Sequence, residues 1–344
     1  MRASPVATLL TLAALACAFV QPALAAGGVK TPPFERVQLG NGAVLLLMER
    51  HDVPLIAFHA LLRGGATSDP SDAYGMSSLV AGLLEKGAGN RDAAAFAETV
   101  ASVGGNIATE ASVESISVSG SFLARDQALM VELLADLLQR PKLEHTQFDT
   151  LRARHIEFIR AAKDSNVGAL TPIYGTASLF GGHPYGRPVD GSEASLGSIG
   201  HEALQRYYRE QIGADRLILA VAGDFKTARL KQQLTRALSG WRKATGPPAA
   251  VQKVERPTSR RVLLVDAPDS VQSYFWAASV AVPRNDPRRA ALDVANTLFG
   301  GRFTSMLNSE LRIRTGLSYG ASSRFDRRSV LGHWELSSFT QTAT

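Results

Sequence analysis

Apolar positions recur with two different periods along the chain, and the switches between them outline the elements. Residues 35–50 carry short apolar runs on either side of Asn41-Gly42, a dipeptide that favours a tight turn, so a strand hairpin is predicted there. Another strand is predicted over 53–65. The stretch GMSSLVAGLLEKG, residues 75–87, changes period: Met76, Leu79, Val80, Leu83 and Leu84 recur at three- and four-residue spacing, which predicts a helix with one buried face. A helix over 92–103 stops at Gly104-Gly105, and strands follow near 107–112 and over 114–123. Helices are predicted next at 126–139, 144–162 and 167–179. A Gly- and Pro-rich loop, 180–191, then precedes a helix at 201–211, a strand at 216–222 and a helix at 227–238.

Residues 242–258 include Pro247, Pro248 and Pro257, lack apolar periodicity and are assigned as a linker. Beyond them the pattern restarts, with strands at 260–268 and 271–282, helices at 288–299 and 303–312, and strands near 318–325 and 332–339. Trp276 and Trp334 fall on these strands and are assigned to the core. The echo predicts an α+β fold of two related domains, 34–241 and 259–344, each a mostly antiparallel sheet flanked by helices. The second is expected to be incomplete in this chain, because far fewer residues follow the linker than the first domain uses.

The N-terminus breaks the pattern. Arg2, an apolar run over 6–20 and the small-residue site Ala23-Leu24-Ala25 predict a signal peptide over 1–25, hence export and a periplasmic location in a Gram-negative source. Cys17, the single cysteine, lies inside it. Acylation of Cys17 as a lipoprotein is the lesser alternative, since Ala14 stands where that signal prefers Leu. Cleavage after Ala25 leaves no thiol, which excludes disulfides and a cysteine nucleophile. No later segment approaches the ~20 apolar residues needed to span a bilayer. The net charge of +6 is spread over pairs such as Arg288-Arg289 and Arg327-Arg328 without aromatic residues between them, so no nucleic-acid partner is expected.

Several segments in order, LGNGAVLLLMER, RGGATSDP, GMSSLVAGLLEKG, FAETVASVGG, GGHPYGRPVDG, LILAVAGDF and LNSELRIRTGLSYG, resemble the pitrilysin/insulinase-like zinc peptidases, the inverzincins. That family also includes the mitochondrial processing peptidase and the core proteins of the bc1 complex. The resemblance implies His-x-x-Glu-His on the helix at 75–87, with two imidazoles one turn apart to bind zinc and a carboxylate to activate water. In this chain Ser78 and Gly82 stand at the histidine places and Ala81 at the base. A further zinc-binding glutamate is implied at, or one residue from, Glu157, and His155 has no helical partner for a metal.

In LRIRTGLSY the resemblance assigns Arg312 and Tyr319 to a pair that faces the zinc in active members, with Gly316 as a helix stop between them. It implies a non-metal subunit of an exported heterodimeric zinc peptidase, binding no cofactor itself and lending Arg312 and Tyr319 to a zinc-bearing partner that shares the enclosed peptide. The alternative is a purely structural or peptide-binding member with no part in hydrolysis. No nucleophile elbow supports an independent hydrolase. His183 is read as a loop residue bonded to backbone, and the edge strand near 107–112 as one whose pairing needs no particular side chain.

Overall fold

In the computed structural model, which describes residues 32–165, 167–254, 256–268 and 270–342, the alternating segments become strands with one buried face. The signal peptide over 1–25, with Cys17, lies outside the described residues. Strands β1 (Glu35–Gln38) and β2 (Val44–Glu49) form the hairpin, with Gly42 N–H closing the turn onto the Leu39 carbonyl at 2.9 Å. β3 (Leu55–Arg63) buries Ile56, Phe58, Ala60 and Leu62 and turns the intervening residues outward. Helix α1 (Met76–Leu84) follows, then the short pair β4 (Gly87–Ala88) and β5 (Arg91–Asp92), and α2 (Ala93–Ser102), whose N-terminus is capped by the Asp92 carboxylate.

β6 (Asn106–Ala111) and β7 (Ser115–Leu123) pair antiparallel. Helices α3 (Gln127–Gln139), α4 (His145–Ser165), α5 (Val167–Phe180), α6 (Glu193–Ser198) and α7 (His201–Gln211) lead to β8 (Leu217–Gly223) and α8 (Thr227–Leu238). The sheet order is β1-β2-β8-β3-β7-β6, antiparallel except where β8 lies parallel to β2. Its apolar face and the stripes of α1, α3, α7 and α8 share one core, in which Leu79, Val80, Leu83 and Leu84 of α1 are fully buried. Each such side chain contributes about 1.5–3 kcal/mol relative to exposure.

After residues 242–258, which carry no helix or strand among those described, the second sheet is β10-β11-β9, all antiparallel. It comprises β9 (Gln272–Ala281), β10 (Ala321–Asp326) and β11 (Gly332–Gln341), with α9 (Arg289–Phe299) beside it. Helix α5 approaches β9 closely because it presents glycine: a Cβ at Gly168 would lie 2.6 Å from the Tyr274 ring, and one at Gly175 2.2 Å from the Trp276 indole.

Three local expectations are corrected. No strand forms over 260–268; Val262 and Leu264 are exposed, since backbone groups make a strand only where a neighbour accepts them. The helix expected at 303–312 is a short turn, Met306–Asn308, continued by a π-helical segment, Ser309–Arg314, which Thr315 N–H closes onto the Glu310 carbonyl at 3.1 Å. Trp276 and Trp334 are half-buried rather than core, and their indole N–H groups reach Glu335 of β11 and Asn296 of α9.

Candidate functional site

Helix α1 begins at a buried carboxylate. Asp69 accepts from Gly75 N–H at 2.9 Å and from Ser77 N–H at 3.0 Å, filling two of the donors a helix start leaves open. Burial pushes the Asp69 carboxyl up to about 6, against these hydrogen bonds. One turn on, the Ser78 hydroxyl donates to Asp190 Oδ1 at 2.8 Å, tying α1 to the 180–191 loop. Ala81 is buried, and its carbonyl accepts from the Thr109 hydroxyl at 2.7 Å on β6. A Cβ at Gly82 would meet Leu151 Cδ2 of α4 at 2.8 Å, so a leucine side chain occupies the space next to Gly82.

These groups do not fit a zinc ion. Ser78, Ala81 and Gly82 offer a hydroxyl already committed to a carboxylate, a methyl and a hydrogen, and among the described residues no three His, Cys, Asp or Glu side chains gather where a metal could bind. Glu157, the residue implied as the further ligand, points to solvent and pairs with Arg160 at 2.6 Å. His155 is the α4 residue whose imidazole feels Asp190. Burial holds it below its ordinary pKa, the carboxylate opposes that, and its Nδ1 is buried without a partner. Sequence reasoning passed over Asp190 because its pairing with Ser78 joins positions 112 residues apart.

The second element is assembled at the rim of the second sheet. Gly316, at φ +65°, reverses the chain after the π-helical segment, and Ser318 N–H returns to the Leu311 carbonyl at 3.0 Å. Arg312 and Tyr319 are thereby brought together: the guanidinium lies 4.2 Å from the Tyr319 ring centre and 4.8 Å from that of Phe303. Tyr319 is 74% exposed, so its hydroxyl is available to another molecule. Arg312 lines a cleft of about 900 Å³ between α5 and the second sheet. Behind it, Glu335 is held down to about 2; burial alone would raise it, but contacts from His333, Trp276 and Arg324 prevail.

Glu114, missed in the sequence because it is an ordinary surface residue type, joins the two halves. It accepts from the Tyr185 hydroxyl at 2.6 Å, from Ser329 N–H at 3.0 Å and from Arg284 at 3.1 Å. Burial pushes its carboxyl up, and the bonds from Ser329 and Tyr185 with the Arg284 charge bring it below the usual range. Arg328 completes the joint, donating to the Tyr185 carbonyl at 3.0 Å. His183 Nδ1 accepts from Tyr185 N–H at 3.1 Å, which makes Nε2 the donor to the Gln252 carbonyl at 3.0 Å. Both ring nitrogens are thus spent on backbone, as the loop reading has it.

Comparison with known proteins supplies two domain matches. Residues 57–191 match the family described as Insulinase (Peptidase family M16), and residues 198–343 match the Peptidase M16 inactive domain. An uncharacterized zinc protease of Mycobacterium tuberculosis is 27% identical over 266 residues, 76% of this chain and 60% of the relative. A non-peptidase homolog, YmxG, of Helicobacter pylori is 21% identical over 271 residues, 79% of this chain and 62% of the relative. The chain therefore spans about three fifths of the length of these relatives. Among solved structures, a protease from Helicobacter pylori superposes with a TM-score of 0.85 at 17% identity, covering 91% of this chain and 76% of that one. A peptidase M16 inactive domain from Pseudomonas fluorescens gives 0.82 at 21% identity, covering 90% and 74%.

Proposed function

The chain belongs to the M16 (insulinase) peptidase family as a member without the zinc motif, and from that premise we propose that it is the non-metal subunit of an exported two-chain zinc peptidase. In this reading it pairs with a zinc-bearing family subunit, encloses a peptide with it, and presents Arg312 and Tyr319 to the partner's site. The observation that carries the reading is the asymmetry between the two elements. Helix α1 has Ser78, Ala81 and Gly82 in place of the metal-binding groups, whereas Arg312 and Tyr319 stand stacked at an open rim. The Tyr319 hydroxyl would donate to an oxyanion as it develops, and the Arg312 guanidinium would hold the substrate carbonyl and keep the ring oriented. Zinc in the partner would supply the water-activating chemistry. Export rests on the leader over 1–25, and among the described residues no helix is long and apolar enough to cross a membrane.

A binding role without hydrolysis is the second reading, supported by the relative named a non-peptidase homolog. Reconstitution separates the two. The purified chain is mixed with a zinc-motif family member from the same organism, and cleavage of an unfolded peptide is measured. Cleavage that arises only on mixing and drops about 10²–10³-fold with Tyr319→Phe, assembly unchanged, supports the shared site. Cleavage by the partner indifferent to Tyr319→Phe and Arg312→Ala leaves the binding role.

A further inference from the structure

The geometry points to the α5–second-sheet cleft as a binding site for peptide segments that carry carboxylates beside aromatic or aliphatic side chains. This rests on the reading of the chain as a peptide-enclosing subunit and names the class of peptide it takes. The cleft holds three arginines, Arg302, Arg312 and Arg324, against one carboxylate, Glu335. Glu335 is already committed, bonded to Arg324 and accepting from the Trp276 indole at 2.9 Å. Among the described residues Arg302 has no carboxylate partner, and the guanidinium of Arg312 packs on rings rather than on an acid. Two cationic groups therefore face the cleft without compensation.

Their surroundings select what compensates them. Stacking on Phe303 and Tyr319 fixes the plane of the Arg312 guanidinium and leaves its N–H edge free, the arrangement that receives a carboxylate with two parallel hydrogen bonds. The cleft wall adds the Tyr274 and Trp276 rings, which offer apolar surface next to the charge. A basic peptide would meet like charge, and a purely apolar one would leave both guanidiniums desolvated without partners. An acidic, partly aromatic segment satisfies both features of the wall.

The test is fluorescence anisotropy of the full chain, without any partner, against three short labelled peptides that alternate Phe with Glu, Gln or Lys. The Glu peptide is expected to bind about tenfold or more tightly than the Gln peptide, with the Lys peptide weakest and the preference falling as salt is added. Arg302→Gln is expected to cost the Glu peptide roughly tenfold and leave the Gln peptide unchanged, with Arg302→Lys recovering part of the loss. Equal binding of the Glu and Gln peptides, or an equal loss for both in the variants, overturns the assignment. The reconstituted pair tells this result from the fate of the subunit reading. Cleavage on mixing that ignores peptide charge sinks only the cleft, and charge-selective binding without cleavage on mixing sinks only the shared site.

Discussion

Helices α1 and α9 carry the same kind of apolar stripe and meet opposite fates. On α1, Leu79, Val80, Leu83 and Leu84 lie wholly beneath the six-stranded sheet. On α9, Val294 and Leu298 are 63% and 53% exposed, and Phe299, its ring tilted at 49° to that of Trp334, is also open to solvent. Phe275, on β9, is exposed as well. The first region is a closed core in which the stripes of α1, α3, α7 and α8 are covered together with the sheet. The second holds a sheet whose α5 side is lined and whose other apolar positions have little cover among the described residues. An amphipathic pattern states that a face should be covered and leaves open which segment covers it.

The sharpest way to break this contrast is by truncation. Leu79→Ala is expected to cost about 2–5 kcal/mol in urea unfolding, and Leu298→Ala less than ~1 kcal/mol, because only the first leaves a cavity. Comparable losses would mean that α9 is packed as tightly as α1. The joint between the regions ranks next. Tyr185→Phe removes a donor from the half-buried Glu114 and is expected to cost about 1–3 kcal/mol, with the regions then unfolding in separable steps. A single unchanged transition would show that the joint does not couple them.

Acid distinguishes the same regions. Glu114 has a folded-state pKa below its usual 4.5, so its contribution is present above about 4.5 and is lost as pH falls through the lower folded value. Asp69 has the opposite sign: raised from 3.8 to about 6, it favours the folded state when protonated, and that contribution is lost as pH rises from 3.8 through about 6. Glu114→Gln should flatten the loss of stability below pH 4.5, and Asp69→Asn the slope between 3.8 and about 6. Slopes that ignore these substitutions would assign the pH dependence to other carboxyls. The smallest effect is at the start of α1. Ser78→Ala gives up one hydrogen bond to Asp190, about 0.5–1.5 kcal/mol, and should leave metal content by elemental analysis unchanged.

Much of the architecture was legible because it is local. Period-two runs became β2, β3, β7 and β8, the three-and-four spacing of residues 76–84 became α1, and Asn41-Gly42 and Gly316 turned the chain where their types predict. The α+β class and the family also follow from the chain, since they rest on segment order, and the chain itself shows that residues 75–87 carry no His-x-x-Glu-His. The misreadings, a strand over 260–268, a regular helix over 303–312 and buried tryptophans, all concern the second sheet, where pairing and cover depend on neighbours that periodicity does not specify.

Contacts between distant segments were decided only in three dimensions. The sequence places Arg312 and Tyr319 seven positions apart, and the turn at Gly316 stacks them. It places Ser78 and Asp190, or Glu114 and Ser329, in unrelated stretches, and folding makes each pair a hydrogen bond. Residue types set which groups exist and how each segment prefers to coil or extend. Burial, charge compensation and the space beside Gly82 belong to the packed whole, because they depend on which side chains the tertiary fold sets within a few ångströms of one another.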